Sequence, residues 1–289
     1  MDALEQYIHD HTSPEEELLH ELDRATNLRV VQPRMLSGHI QGRLLEMLVR
    51  MLRPQRILEI GTFTGYSALS MAAGLEEGGE LHTIEVEDEL EELAQSFFDR
   101  SPHGAKIRLH IGSALDIAPA LGMEFDLVFI DGDKREYPDY YRMLMGDGGT
   151  APLVHSGSVL VADNILWSGK VVQPIARSDR HTQAVVEFNR MVSEDPRVEN
   201  VIIPLRDGLN LIRVKAGSGI FAYLSGKISN DGTERIAATG RRMDQAVRRA
   251  LLQRVDEHGR AHRRGGGAGT HHGTQIWRPV VQGGGEVRP

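Results

Sequence analysis

The chain of 289 residues contains no cysteine. Disulfides, thiolate nucleophiles and cysteine-ligated zinc or iron–sulfur sites are therefore excluded, and any metal must bind oxygen or imidazole ligands. The 13 histidines show no shared spacing typical of a metal site, and we assign none of them a role. The lack of cysteine also agrees with a reducing compartment.

Long apolar runs are missing as well. No segment combines the length and apolar character of a membrane-spanning helix, and the first thirty residues lack the basic and apolar regions of a secretory leader. From these two absences we expect a cytoplasmic protein with no membrane partner.

Positive charge is scarce in the first 215 residues. Of the chain's 33 Lys and Arg residues, 12 lie in residues 216–289, together with 6 of its 41 Asp and Glu residues. The first 215 residues therefore carry a formal charge of −14, and the remainder carries +6. Because an acidic surface repels polyphosphate, nucleic acid is disfavoured as a partner of the first part, although not of the basic remainder.

Apolar runs of strand length alternate with segments of helical period between Arg56 and Val214, a pattern typical of an α/β fold with a parallel sheet and helices on both faces. The predicted strands are Arg56–Ile60, Glu80–Glu85, Ile107–Ile111, Phe125–Asp131, Ser158–Asp163, Val198–Pro204 and Leu209–Val214. Three helices are predicted ahead of them, near Asp2–His9, Pro14–Ala25 and Ser37–Leu52.

The pattern changes after Lys215, where glycine-rich runs and an arginine-rich stretch replace the alternation. We therefore predict one domain over residues 1–215, with its N-terminal helices, and a basic Gly/Arg-rich extension over residues 216–289. The part of the extension after about Ala261 is predicted to be disordered.

The first predicted strand runs into two glycines, Gly61 and Gly65, followed by a helix. Glycine lets the backbone turn sharply and approach a ligand where a Cβ would clash. The spacing differs from the Gly-x-Gly-x-x-Gly of dinucleotide-binding folds and suits a cofactor without a pyrophosphate. Glu85 ends the second strand, where an acidic side chain can accept hydrogen bonds from both ribose hydroxyls. The alternative is a tight strand–helix turn and a solvated glutamate.

Acidic and amide side chains stand at the ends of two further strands. Asp131 ends the fourth predicted strand, and Asp163 and Asn164 stand at the end of the fifth. The carboxyl ends of strands in an open α/β sheet face the ligand crevice, and an oxygen-only cluster there suits Mg²⁺, Ca²⁺ or Mn²⁺. The alternative is that these residues only cap turns and helices. Together with the glycine motif, they favour a binding site.

Lys134, three residues beyond Asp131, can reach the same cluster. A partly desolvated lysine near a cation has a lowered pKa and can act as a general base, whereas an isolated surface lysine is only a solvated charge.

A cation in such a cluster could also activate a hydroxyl group. A phenol with a pKa of about 10 is ionised in only about one molecule in a thousand at neutral pH. Lowering that pKa to near 7 takes roughly 4 kcal/mol, which is within the reach of a directly bound dication.

These motifs resemble the cation-dependent class I O-methyltransferases, the group of catechol and caffeoyl-CoA O-methyltransferases and their bacterial relatives. The resemblance runs from about Tyr7 to Lys215. The segments that carry it are Glu59–Ser67, Phe129–Lys134, Asp163–Gly169 and Pro204–Leu209. It implies a Rossmann-like S-adenosylmethionine-dependent methyltransferase fold with a seven-stranded, mostly parallel sheet, and a homodimer.

The resemblance also implies roles for individual residues. The metal ligands would be Asp131, Asp163 and Asn164, binding Mg²⁺ or else Mn²⁺ or Ca²⁺, and the catalytic residues would be Lys134 and Asp131. The residues around S-adenosylmethionine would be Met35, Ser37, Glu59, Gly61, Phe63, Ser67, Glu85, Ala114 and Asp131. We also predict that Trp167 and residues 168–180 form a lid on the substrate side, although Trp167 could equally serve packing.

Three functional hypotheses follow. The first is methylation of a hydroxyl on a small aromatic molecule of catechol or phenylpropanoid type. The second is methylation of a tRNA uridine hydroxyl by an enzyme of the same family, with the basic extension as the RNA anchor; the charge of −14 weakens it. The third is a non-catalytic S-adenosylmethionine-binding or dimerisation module. The joint presence of Asp131, Lys134, Asp163 and Asn164 argues against this third hypothesis.

Overall fold

The computed structural model describes residues 3–216. The predicted extension after Lys215 lies outside the described residues, apart from Ala216. Among residues 3–216, no helix is long and apolar enough to cross a bilayer. The helices are α1 (Ala3–Asp10), α2 (Glu17–Arg29), α3 (Gly38–Leu52), α4 (Tyr66–Gly74), α5 (Glu91–Phe98), α6 (Ala114–Ala120), α7 (Tyr137–Met145) and α8 (Arg180–Glu194).

The strands form one sheet of seven. They are β1 (Arg56–Ile60), β2 (Glu80–Glu85), β3 (Ile107–Ile111), β4 (Phe125–Ile130), β5 (Val154–Ala162), β6 (Val198–Ile203) and β7 (Leu209–Val214). Their order in the sheet is β3-β2-β1-β4-β5-β7-β6. The first five strands pair in parallel, whereas β7 pairs antiparallel with both β5 and β6. The predicted seven-stranded, mostly parallel sheet is therefore confirmed.

Helices cover both faces of the sheet, because alternate residues along each strand point to opposite sides. One apolar cluster joins Leu58 and Val128 to residues of α6, α7 and α8. A second cluster joins the neighbouring strand residues Ile57 and Leu127 to residues of α2, α3, α4 and α5. The inner strands β1 and β4 are buried along almost their whole length, whereas the outer strands β3 and β6 are partly exposed.

The fifth strand begins earlier than predicted. It starts at Val154 rather than Ser158, because Val154 pairs with Phe125 before the register shifts and Val159 pairs with Leu127. Gly157 has a φ of +97° within the irregular part. A glycine inside a strand pattern can mark either a bulge or the end of the strand. The residues of β5 that precede Gly157 were therefore not predicted as part of the strand.

The order of the strands creates a crevice between β1 and β4. From β1 the chain moves outward to β2 and β3, and then returns to the other side of β1 with β4. The connections that leave β1 and β4 therefore diverge to opposite sides at the carboxyl edge of the sheet. Open α/β sheets bind ligands at such a switch point.

Truncating Leu127 tests the central packing. Its side chain is 1% exposed in the middle of the sheet. We expect Leu127→Ala to lower the free energy of unfolding by about 2–5 kcal/mol, because it leaves a cavity between packed layers. Urea unfolding measures this loss, and Val172→Ala, at a side chain that is 87% exposed, should change stability by less than about 0.5 kcal/mol. Similar losses in both variants would contradict the packing described.

Candidate active site

A cleft of about 1610 Å³ opens at the carboxyl ends of the parallel strands β1 to β5. Its walls come from the loops that follow these strands and from the segment between α2 and α3. Every predicted site residue except Glu59 lines this one cleft: Met35, Ser37, Gly61, Phe63, Ser67, Glu85, Ala114, Asp131, Lys134, Asp163 and Asn164.

Backbone hydrogen bonds continue for one residue past the strands and set these residues side by side. The amide of Gly61 donates to Ile84 O at 2.9 Å, and the amide of Asp131 donates to Ile60 O at 2.8 Å. In the same way, the amide of Asp163 donates to Ile130 O at 3.0 Å. Gly61, Asp131 and Asp163 therefore stand in neighbouring rows of the sheet, although they are far apart in the sequence.

The two glycines of the first loop are required by the protein itself. Gly61 has a φ of +97°, and a Cβ there would lie 2.5 Å from the backbone oxygen of Asp131. Gly65 has a φ of +93°, and a Cβ there would lie 2.5 Å from the ring of Phe98. The sequence argument placed a ligand at this close approach, whereas the structure places the start of the loop after β4 and a side chain of α5 there. The glycines thus bring the loop against its neighbours and leave the cleft open above it.

Glu85 is fixed at the end of β2 by three backbone amides. Its carboxylate accepts hydrogen bonds from the amides of Phe63 at 2.7 Å, Val86 at 2.9 Å and Glu87 at 3.0 Å. Phe63 belongs to the glycine loop and has a φ of +52°. The carboxylate therefore ties the loop after β1 to the loop after β2 and is held at the surface of the cleft.

Glu59 is the one predicted residue that lies behind the wall of the cleft. It is fully buried, and Thr83 donates a hydrogen bond to its Oε2 at 2.5 Å. Burial raises the pKa of Glu59 to about 8, and hydrogen bonds from Ser67 and Thr83 offset only part of this rise. Glu59 itself does not line the cleft, whereas the nearby Ser67 does.

The acidic cluster lies on the other side of the switch point. Lys134 Nζ donates to Asp131 Oδ1 at 2.7 Å and to the hydroxyl of Tyr137 at 2.6 Å. Burial raises the pKa of Asp131 to about 6; the negative charge of Asp163 adds to this rise, and Lys134 opposes it. Burial also raises the pKa of Tyr137 well above its ordinary value, so its hydroxyl stays neutral.

Asp163 is held more tightly than Asp131. Its side chain is 2% exposed, and Gln41 Nε2 donates to its Oδ2 at 2.7 Å. The backbone amide of Asn164 donates to Oδ1 at 2.6 Å, and Asn164 itself has a φ of +57°. Within residues 3–216, no group of three or more His, Asp and Glu side chains is arranged as a metal site. The predicted set contains two such residues and one carboxamide.

An aromatic pair forms part of the outer wall. The rings of Trp167 and His181 stack with centroids 5.9 Å apart and an interplanar angle of 13°, and both residues line the cleft. Trp167 and Ser168 have φ values of +47° and +52°. The amide of Ser168 donates to Asp207 Oδ1 at 2.6 Å, which holds this turn to the loop before β7.

The sequence matches a family model described as O-methyltransferase over residues 9–215. The chain belongs to this O-methyltransferase family. Caffeoyl-CoA O-methyltransferase of Petroselinum crispum is 31% identical over 225 residues, which cover 73% of this chain and 90% of that protein. Caffeoyl-CoA O-methyltransferase of Populus kitakamiensis is 33% identical over 225 residues, with coverage of 73% and 93%.

Solved structures extend the comparison to the methyl donor. The O-methyltransferase TomG of Streptomyces achromogenes, involved in tomaymycin synthesis and solved in complex with S-adenosylmethionine, is 31% identical with a TM-score of 0.67. The similarity covers 74% of this chain and 97% of TomG. The present O-methyltransferase is therefore an S-adenosylmethionine-dependent enzyme, as predicted. This agreement favours an enzyme over the non-catalytic module.

Three residues of this O-methyltransferase site were not among the predicted catalytic, cofactor-binding or metal-binding residues. Tyr137 contacts Lys134, Gln41 contacts Asp163, and Arg206 contacts Gln41. Gln41 and Arg206 come from elements far from Asp163 in the sequence, so no local spacing signals their contact. Tyr137 follows Lys134 by three residues at the start of α7, a helical spacing that could have suggested it.

The close approach of Gly61 to β4 generates a testable prediction. We expect Gly61→Ala to weaken binding of S-adenosylhomocysteine at least about tenfold, because the new Cβ must displace either the Asp131 backbone or the glycine loop. Calorimetric titration measures this loss. The matched control is Gly78→Ala, because Gly78 has a φ of +83° but no atom within 4 Å of the added Cβ. Equal effects on binding in the two variants would show that the contact with Asp131 is unimportant.

The raised pKa of Glu59 predicts a pH dependence of stability. Between its ordinary pKa of 4.5 and its folded value of about 8, the folded protein holds a proton that the unfolded chain releases. Stability contributed by this proton is therefore lost as the pH rises. Relative to Glu59→Gln, the wild type should lose on the order of a few kcal/mol of unfolding free energy between about pH 5 and 8. Parallel profiles from urea unfolding at each pH would rule out the buried, protonated carboxyl.

Proposed function

We propose that this enzyme methylates a hydroxyl of a small aromatic acceptor of catechol or phenylpropanoid type, and that it does so with a divalent cation. The observation that carries the proposal is the cluster of Asp131, Lys134, Asp163 and Asn164 in the same cleft as the predicted cofactor residues. Caffeoyl-CoA O-methyltransferases among its relatives support an acceptor of this class.

The side-chain oxygens of Asp131, Asp163 and Asn164 fit a hard cation. Two carboxylates and one carboxamide offer only oxygen ligands, which Mg²⁺ and Mn²⁺ favour. Burial, with a smaller contribution from the negative charge of Asp163, raises the pKa of Asp131, and a cation bound beside these carboxylates would offset both effects. Asp131, Asp163 and Asn164 would hold the cation. When bound there, a dication would stabilise the ionised form of an adjacent hydroxyl and so lower its pKa.

Lys134 is placed to accept the hydroxyl proton at Nζ when it is in its neutral amine form. Its side chain is 7% exposed, and contacts with Asp131 and Tyr137 fix its position. The neutral hydroxyl of Tyr137 lies 3.0 Å from the backbone oxygens of Ile130 and of Asp163, so the base is anchored to the ends of β4 and β5. A fixed position is important because proton transfer requires the base to lie within hydrogen-bond distance of the hydroxyl that loses its proton.

The other wall of the cleft would hold the methyl donor. S-adenosylmethionine supplies a methyl group on a sulfonium, which needs no further activation. Glu85 would accept hydrogen bonds from the ribose, while Gly61, Phe63, Ser67 and Ala114 would shape the surface around the donor, with Met35 and Ser37 above. Glu59 would act through Ser67. The Trp167–His181 pair would face the acceptor ring and restrict which acceptors enter.

The homodimer, the cytoplasmic location and the division into residues 1–215 and 216–289 stay predictions. For the tRNA hypothesis, nothing within residues 3–216 adds to the sequence argument. We therefore treat tRNA as an alternative acceptor in the test of the proposed function.

Methyl transfer from labelled S-adenosylmethionine tests the proposal. We expect a catechol panel that includes a caffeoyl acceptor to be labelled with Mg²⁺ and not with a chelator. Asp163→Ala should lower the rate at least about a hundredfold, because it removes a ligand and leaves Asp131 as the only carboxylate ligand. Asp139→Ala, an exposed acid on α7 paired with Arg142, is the matched control and should keep the rate of the wild type.

Two outcomes would contradict the proposal. Labelling of unmodified bulk tRNA without labelling of any catechol would replace the small-molecule acceptor. Labelling of a catechol that is unaffected by chelator and by Asp163→Ala would remove the cation from the account while leaving the methyl transfer.

A further inference from the structure

Arg206 has an unusual backbone for a residue with a long side chain. Its φ is +51°, in the left-handed region that residues other than glycine seldom adopt. The loop around it is pinned, because Asp207 O accepts a hydrogen bond from Leu166 N at 2.9 Å and a Cβ on Gly208 would lie 2.5 Å from Leu166. Such a conformation persists only where the surroundings hold it, and it is found more often at functional sites.

The guanidinium of Arg206 begins a chain of contacts that ends at Asp163. Nη1 donates to the backbone oxygen of Ser37 and to Gln41 Oε1, the latter at 3.1 Å. The amide nitrogen of the same Gln41 donates to Asp163 Oδ2 at 2.7 Å. Gln41 is fully buried, so its amide is shielded from solvent.

The two ends of the Gln41 amide cannot be exchanged. With its present orientation the oxygen faces a cation and the nitrogen faces a carboxylate. A flipped amide would place its oxygen against the Asp163 carboxylate and its NH₂ group against the guanidinium, so both contacts would be lost. Arg206 therefore determines the orientation of Gln41, and Gln41 in turn restricts the rotation of the Asp163 carboxylate.

We propose that Arg206 and Gln41 are positioning residues that hold Asp163 in the orientation in which it binds the cation. This inference rests on the proposed function, since it assumes that Asp163 is a ligand. Hydrogen bonds to ligating carboxylates are worth about 10- to 100-fold in metal affinity. The relay consists of Arg206, Gln41 and Asp163.

Charge alone predicts the opposite effect on cation binding. Arg206 lines the same cleft as Asp131, Asp163 and Asn164, so its positive charge would also repel a dication bound there. If Arg206 acted only through charge, its removal would strengthen cation binding. If it acts through the relay, its removal weakens cation binding. The sign of the change therefore separates the two accounts.

Direct Mn²⁺ binding to the full chain, measured by electron paramagnetic resonance of the free ion, tests the relay without relying on turnover. We expect Arg206→Met and Gln41→Met each to weaken Mn²⁺ binding about tenfold or more. The double variant should bind Mn²⁺ about as well as the weaker single variant, because Arg206 acts through Gln41. Arg206→Gly should match Arg206→Met, and it guards against misfolding because glycine suits the positive φ.

Arg135→Met is the matched control for charge. Arg135 is another cation that lines the cleft, paired with Asp133 rather than with the relay, and its loss should leave Mn²⁺ binding unchanged or tighter. Mn²⁺ binding by Arg206→Met or Arg206→Gly that equals or exceeds the wild type would overturn the relay alone. A double variant whose loss is the product of the two single losses would also overturn it. Failure of the wild type to bind Mn²⁺ would overturn the proposed cation site and the relay with it.

Discussion

The arrangement of the site depends on backbone hydrogen bonds at the carboxyl edge of the sheet. The backbone amides of Gly61, Asp131 and Asp163 each donate a hydrogen bond to a carbonyl oxygen at the carboxyl end of the neighbouring strand. A parallel ladder has one register, so these contacts fix the three residues relative to each other before any side chain is considered. The side chains at this edge line one cleft. The residues predicted to bind the methyl donor lie beside β1 and β2, and the acidic cluster lies beside β4 and β5.

Gly61 lies where the predicted methyl-donor side of the cleft meets the acidic cluster. A Cβ at this position would overlap the backbone of Asp131, so the loop after β1 and the loop after β4 approach each other more closely than a side chain would allow. Methyl transfer needs the donor and the acceptor oxygen in line and in contact. A short distance between the two loops is the contribution of the fold to that alignment.

The site also contains buried ionisable groups that lower the stability of the fold, and the rest of the fold must offset this cost. Burial raises the pKa values of Glu59 and Asp131, and Lys134 is almost fully buried. Each of these groups costs stability unless it is paired. The two apolar clusters on the faces of the sheet supply the compensating burial. Paired charges in a desolvated cleft have stronger electrostatic effects than they would have in water, which suits stabilisation of an ionised hydroxyl.

Much of this architecture could be predicted from the sequence, because it depends on local patterns. The strands β1, β2, β3 and β7 have their predicted bounds, and the glycine loop and the acidic residues follow the strands as expected. The early start of β5 could not be predicted, since Gly157 interrupts its pattern. The burial of Glu59 was missed because alternation along a strand buried on both faces does not distinguish a polar core residue from a cleft residue.

Contacts between elements that are distant in the sequence could not be predicted, for a different reason. Gln41 lies on α3 and Arg206 lies in the loop between β6 and β7, and only the closed fold brings them to Asp163. An arginine with a positive φ also has no sequence signal, because the left-handed conformation is imposed by the pinned loop around it.

Anomalous X-ray diffraction at the manganese edge, from crystals grown with Mn²⁺ and S-adenosylhomocysteine, tests the central claim most directly. The account predicts one strong peak in the cleft, bounded by oxygens of Asp131, Asp163 and Asn164. The absence of a peak there in crystals that contain S-adenosylhomocysteine in the cleft would contradict the cation site and leave only the methyl donor side of the account.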